Sequence, residues 1–147
     1  LRWLQNGIFQ PRFCLNSANN DNTVTQPWMY EENLPYIRAA YQLRYRLLPT
    51  LYSLMYESNQ NGMPAWRPLF LEFPDDPKCY TDKNLTFMFG KSILVANVVE
   101  KGATTRTIYL PAGCTWYDMN DTRAARPSRS RSHWPASPCS CAVLPLW

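Results

Sequence analysis

Three clusters in this 147-residue chain hold side chains that could do chemistry. "EFPDD" at 72–76 packs three carboxylates into five residues, the raw material of a cation site. Cys139-x-Cys141 with His133 offers ligands of the kind zinc takes. "RPSRSRSHWPASPC", from Arg126 to Cys139, reads as an arginine–serine segment of the kind that binds RNA. Each signal weakens on inspection. EFPDD follows a short apolar run and reads as a polar turn leaving a strand. The cysteines have no second ligand pair at metal-site spacing, so no metal is expected. The arginine segment carries charge without an aromatic stacking platform, and charge alone gives salt-sensitive binding. No nucleic-acid partner is expected.

The charge distribution separates this segment from the rest. The formal net charge is +4, with 15 Lys+Arg against 11 Asp+Glu. Arg123, Arg126, Arg129 and Arg131 lie in the tail with no acid near them, so residues 1–121 balance at 11 against 11. The only histidine, His133, is in the tail too. The body is neutral and apolar enough, at 46% hydrophobic residues for the whole chain, to fold around a core. No run of about 18 apolar residues is long enough to cross a membrane, and no membrane partner is expected. Five scattered cysteines and no signal peptide read as reduced thiols in a cytoplasmic protein. The opening "LRWLQNG" lacks an initiator Met, which predicts further sequence upstream.

These residues need elements to place them. Arg2 to Phe9 reads as the end of a helix stopped before Pro11. Residues 10–32 form a long polar stretch opening with "QPRFCLNSANNDNTVTQPW", expected to be a surface loop anchored by Trp28. Asn33 is a helix-capping residue, Pro35 suits a first turn, and Gly62 suits a helix end. Between them Ile37, Tyr41, Tyr45, Leu48, Tyr52 and Met55 recur at three- and four-residue steps, which predicts one apolar face of a helix to about Gln60. Pro49 lies inside it and predicts a kink. Arg38, Arg44 and Arg46 are expected to form surface salt bridges. A short strand is expected around Arg67 to Leu71, buried on both faces as parallel strands are. From Lys91 the period changes to that of a β-meander: "SILVANVVE", "TTRTIYLP" and "CTWYD", separated by "KGA" and "PAG" turns.

Together, "RWLQNGIFQP", "PW" at 27–28, "RYRLLPTLYSLMYESNQNGMPAWRPLFLEFPDD", "FMFGKSILVANVVEKG" and "RTIYLPAGCTWYD" occur in an order that resembles glycoside hydrolase family 31, the family of α-glucosidases and α-xylosidases. The resemblance covers residues 1 to about 121. It implies an α/β fold: the C-terminal portion of a (β/α)8 barrel over 1–90, the first strands of a proximal β-sandwich over 91–121, and a disordered, basic, low-complexity tail over 122–147.

The resemblance also implies a chemistry. Family members hydrolyse α-glycosides with retention, using one carboxylate as nucleophile and a second as acid and then base. The family's nucleophile and acid motifs, of the types W-x-D-M-N-E and W-x-G-D, fall upstream of "RW", so no catalytic residue is expected in this chain. "WYDMND" at 116–121 looks like the first motif, but it follows "YLPAG", where the family's sandwich carries W-Y-D; Asp118 is therefore expected to be structural. A family loop of the type P-x-F-x-x-H-S presents a His to the sugar. Here that stretch is "PRFCLNS", and Asn16 stands at the position of the His. The expected ligand is an α-glucoside or related oligosaccharide, with no cofactor. The expected function is that of a piece of an α-glucosidase-like hydrolase acting on terminal α-linked glucose, inactive alone. An α-xylosidase or a carbohydrate-binding remnant is the alternative.

The tail suggests its own origin. Ser is often encoded TCN and Arg CGN. Shifted by one base, Ser becomes NTC (Phe, Leu, Ile or Val) and Arg becomes NCG (Ser, Pro, Thr or Ala). "SRSRS" at 128–132 then turns into the apolar/small alternation of a strand. The tail is expected to be read in a shifted frame. Sequencing the gene around codons 121–126 should show strand-like sequence in the alternative frame; stop codons there would exclude the shift.

Overall fold

The computed structural model describes residues 1–16, 25–81, 86–98, 100–103, 106–119 and 140–146. The middle of the polar stretch, the Arg/Ser segment with His133 and Cys139, and Asn120 with Asp121 lie outside them. The chain divides into two compact units, Leu1–Ala65 and Trp66–Trp147.

The first unit is helical. Helix α1 (Arg2–Gly7) ends before Pro11, as the proline dictates. Short 3-10 turns follow at Pro27–Met29 and Glu31–Asn33. Helix α2 then runs for 28 residues, Leu34–Asn61. Asn33 stands at its N-cap, although its side chain makes no capping hydrogen bond there. Gly62 ends it at φ 77° and ψ 0°, the left-handed conformation that glycine adopts without strain, and its N–H reaches the Ser58 carbonyl. The helix continues through Pro49, and the Ser53 hydroxyl donates to the Pro49 carbonyl at 3.1 Å.

The expected apolar face of α2 is displaced. The buried residues are Ile37, Ala40, Leu47, Leu51 and Leu54. Tyr45 and Tyr52 are 71% and 80% exposed, and Leu48 and Met55 are exposed with them. The two sets share a 3–4 spacing and lie on different sides of the helix. The aliphatic set is the one covered in this unit, and the tyrosines form an uncovered stripe. Trp28 does not anchor its loop either; it is 67% exposed.

The second unit is a five-stranded mixed sheet in the order β1-β2-β3-β5-β4: β1 Trp66–Pro68, β2 Phe87–Phe89, β3 Ile93–Asn97, β4 Thr115–Asp118 and β5 Ser140–Leu146. Strands β1, β2 and β3 pair antiparallel, and Phe87 opposes both Pro68 and Val95. Strand β5 lies parallel between β3 and β4, with Val95 opposite Leu144 and Trp116 opposite Cys141.

This arrangement corrects several expectations. The strand near Arg67 is an antiparallel edge strand of three residues; Pro68 cannot donate to a ladder, and a helical turn, α3 (Leu69–Glu72), follows at once. Because β1 pairs with β2, residues 66–68 lie in the second compact unit. The sheet is not a simple meander, since its centre is parallel. Residues 106–110 belong to no strand of the sheet. Residues 140–146 are not a disordered tail end but a strand with two neighbours.

The core of this unit gathers Leu69, Cys79, Met88, Leu94, Ala96 and Trp116, with Phe73, Ile108, Tyr109, Leu110 and Cys114 against them. All three residues of β2 are buried, as expected for a strand covered on both faces. Trp116 is buried with its indole N–H satisfied by the Pro111 carbonyl at 2.8 Å. Arg67 is buried and paired with Glu72. Arg106 donates to the Asn97 carbonyl and the Thr86 hydroxyl, tying the 106–110 segment to the end of β3. Gly102 and Gly113, at φ 80° and 98°, make the turns read from "KGA" and "PAG".

The uncovered stripe on α2 has a direct consequence in solution. The 147-residue chain is expected to self-associate instead of giving a soluble monomer with a sharp thermal transition. Light scattering and calorimetry check this, and Tyr45→Glu with Tyr52→Lys should lower the scattering.

Candidate functional site

The residues with the best claim to function lie just after α1. Asn16 is exposed at the end of the described stretch 8–16. Cys14 is exposed two residues before it and accepts a hydrogen bond from Arg12 Nε at 3.3 Å. This segment has no ladder of its own, so other residues must hold it.

They come from α2. Arg44 donates through Nη1 to the Ile8 carbonyl and, at 2.8 Å, to the Gln10 carbonyl; its Nη2 reaches the Pro11 carbonyl at 3.2 Å. The same guanidinium lies 5.2 Å from the centre of the Phe13 ring. The edge of Phe13 meets Tyr41, with centroids 5.3 Å apart and planes at 64°. Burial pushes the Tyr41 phenol above its ordinary range. Gly7 completes the contact from the α1 side: a Cβ there would stand 3.1 Å from Phe13 Cδ2. Arg44, Tyr41 and Gly7 thus enclose Phe13, three residues before Asn16.

Sequence reasoning assigned Arg44 to surface salt bridges, and the structure replaces those partners with backbone carbonyls. The signal was present. Positions 37, 40, 44, 47, 51 and 54 form the inward heptad series, and Arg44 is its one charged member. A cation on an apolar helix face must find acceptors.

The other candidates fall elsewhere. Within EFPDD, Glu72 pairs with Arg67, and Asp76 accepts from Lys78 N at 3.1 Å and from the Tyr109 hydroxyl. Tyr109 is held well above the ordinary phenol range, first by burial and then by Asp76. These carboxylates serve a turn, as read from the sequence. Asp118 is exposed at the end of β4. No group of three His, Cys, Asp or Glu among the described residues could hold a metal. No described helix is long and apolar enough to cross a membrane. Cys139 and His133 are outside the described residues, and Cys141 is described in its backbone alone.

A helical unit bearing an anchored polar loop, followed by a β unit, is the junction expected where a glycosidase barrel passes into its C-terminal domain. The family descriptions agree. "Glycosyl hydrolases family 31 TIM-barrel domain" matches residues 1–54, and "Glycosyl hydrolase family 31 C-terminal domain" matches residues 62–146. The chain belongs to glycosyl hydrolase family 31. The match runs past Asp121, where the sequence reading ended the resemblance, and takes in β5.

Among curated relatives, "Probable glucan 1,3-alpha-glucosidase" of Oryza sativa is 38% identical over 122 residues, covering 82% of this chain and 13% of the relative. The lysosomal alpha-glucosidase of Mus musculus is 40% identical over 121 residues, covering 81% and 12%. The chain therefore spans about 13% of the length of the curated relatives it matches. Among solved structures, a Flavobacterium johnsoniae family 31 dextranase complexed with isomaltotriose gives a TM-score of 0.75 at 37% identity, covering 84% of this chain and 15% of that one. A family 31 alpha-xylosidase from a soil metagenome, complexed with xylose, gives 0.72 at 33% identity, covering 81% and 20%.

Proposed function

We propose that this chain is part of a retaining α-glycoside hydrolase acting on terminal α-linked glucose, to which it contributes one substrate-contacting loop and no catalytic carboxylate. The reading is supported by the segment that Arg44 anchors at residues 8–11, which leads to an exposed Asn16 at the position where, by the loop's resemblance, family members present a His to the sugar. An amide can donate to one hydroxyl and accept from another, which suits a sugar diol. Unlike an imidazole, it cannot gain a charge near neutral pH, so the contact keeps its form across that range. The α-glucosidase names of the curated relatives favour glucose.

The bond-breaking steps need two carboxyl groups roughly 5 Å apart, one to attack the anomeric carbon and one to protonate the leaving oxygen. Among the described carboxylates, Glu72 is ion-paired with Arg67, Asp76 accepts from Lys78 N and the Tyr109 hydroxyl, and Asp118 ends β4. The pair belongs to the remainder of a barrel, whose active site draws on several strand ends. The xylosidase reading rests on the likeness to the alpha-xylosidase structure. The two sugars differ by the C6 hydroxymethyl, which Asn16 alone cannot discriminate.

The test has two parts. The 147-residue chain should not hydrolyse 4-nitrophenyl α-glucoside above buffer, and Asp118→Ala should change nothing; turnover lost in that variant would overturn the reading. The longer protein, expressed with the sequence upstream of Leu1, should hydrolyse the α-glucoside with a higher kcat/KM than the α-xyloside, and Asn16→Ala should lower kcat/KM by about tenfold, one hydrogen bond's worth. The reverse preference would favour the xylosidase.

A further inference from the structure

We propose that Arg44 is a positioning residue for substrate recognition: it fixes the backbone of residues 8–13 from α2 and so sets where Asn16 meets the sugar. The proposal rests on the reading of Asn16 given above and extends it to a side chain that never touches substrate.

The argument starts from unmet hydrogen bonds. The carbonyls of a helix's last turn and of the segment beyond it lack intrahelical donors. After α1 some find local partners: Asn6 O accepts from Phe9 N at 3.5 Å, and Gly7 O from Gln10 N at 2.9 Å. The carbonyls of Ile8, Gln10 and Pro11 are met by Arg44. Pro11 has no N–H of its own and cannot take part in a ladder as donor. One side chain, 33 to 36 residues away in sequence, thus takes three acceptors within a four-residue stretch.

The geometry calls for arginine. The three carbonyls are divided between Nη1 and Nη2, so they are read by a planar fork and not by a point charge. The flat guanidinium also lies 5.2 Å from the centroid of Phe13, adding a cation–π contact to the same loop. Lysine would keep the charge and lose both the fork and the plane. The anchor is also two-sided. Phe13 is pinned by Tyr41, one turn before Arg44 on α2, and by the close approach of Gly7 on α1. Phe13 lies three residues before Asn16, so its ring sets the direction in which the chain leaves the anchor.

Energy is not stored in this loop by its own contacts. If Arg44 is shortened, three carbonyls lose their donor, and the hold of α2 on this segment is left to the Phe13–Tyr41 contact. Asn16 would then sample positions beyond its productive one.

Arg44→Lys and Asn16→Ala form a double-mutant cycle in the longer protein, read as kcat/KM on 4-nitrophenyl α-glucoside. If Arg44 acts through Asn16, Arg44→Lys should lower kcat/KM several-fold, by no more than the roughly tenfold loss of Asn16→Ala, and the double variant should be little worse than Asn16→Ala. Additive losses, or no loss in Arg44→Lys, overturn the proposal. The anchoring step is checked in the longer protein without reference to activity. Cys14 sits within the loop, so its alkylation rate and the amide exchange of residues 8–16 report loop order. Both should rise several-fold in Arg44→Lys and in Arg44→Met if the anchor is as described; unchanged exchange overturns it. An inactive longer protein with faster loop exchange in Arg44→Lys would discard the substrate reading while keeping the anchor. An active longer protein with unchanged loop exchange would do the opposite.

Discussion

A positive charge on the inward face of a helix is the constraint around which the first unit is arranged. Arg44 belongs to the same series as Ile37, Ala40, Leu47, Leu51 and Leu54, and it cannot sit among them without acceptors. The acceptors it finds are backbone carbonyls of the chain just after α1. Hydrogen bonds to a charged group contribute about 1.5–3 kcal/mol when sheltered, and less for the exposed bond to Pro11. That is enough to select one path for a segment that has no ladder. Phe13 then closes over the guanidinium, Tyr41 closes over Phe13, and the burial of Tyr41 raises its phenol's pKa. The polar loop is ordered from the helix outward.

The second unit solves a similar problem with the same residue type. Arg67 is buried in the edge strand and answered by Glu72 from the turn that follows. Arg106 stitches a segment that belongs to no strand to the Asn97 carbonyl and to Thr86. In each case a guanidinium spans groups that regular secondary structure leaves apart. A buried ion pair gains little net stability over a hydrophobic pair of the same size. Its contribution is to specify which groups meet, and here it fixes how irregular chain runs beside regular elements.

What could be read in the sequence follows the range of the forces involved. The ends of α2 were legible because they are local: Pro35 suits a first turn, and Gly62 takes a left-handed φ that disfavours other residues. The turns at Gly102 and Gly113 were legible for the same reason. The inward face of α2 was not, because 37/40/44/47/51/54 and 41/45/48/52/55 both repeat at helical spacing, and tyrosines count as apolar until something fails to cover them. Strand β2 was missed because Phe87 to Phe89 is short and apolar throughout, without alternation. The place of β5 was out of reach, since its pairing with β3 and β4 depends on contacts across tens of residues. Of the candidate site, Asn16 was proposed from a loop pattern. Its support was not, because an arginine that binds carbonyls 33 residues upstream leaves no pattern beyond a charge on the wrong face.

That difference bears on how such a loop can change. The contact residue and its anchor sit on separate elements and are specified by different physics. Asn16 is exposed, and no described contact constrains its identity, so an imidazole, an amide or a hydroxyl could be carried on the same backbone. Arg44 has three acceptors and a ring to satisfy, and no other side chain satisfies all four. In the reading proposed here, substrate contact is therefore free to vary at residue 16 while the geometry of its delivery is held at residue 44. A loop anchored in this way can exchange its contact residue without refolding.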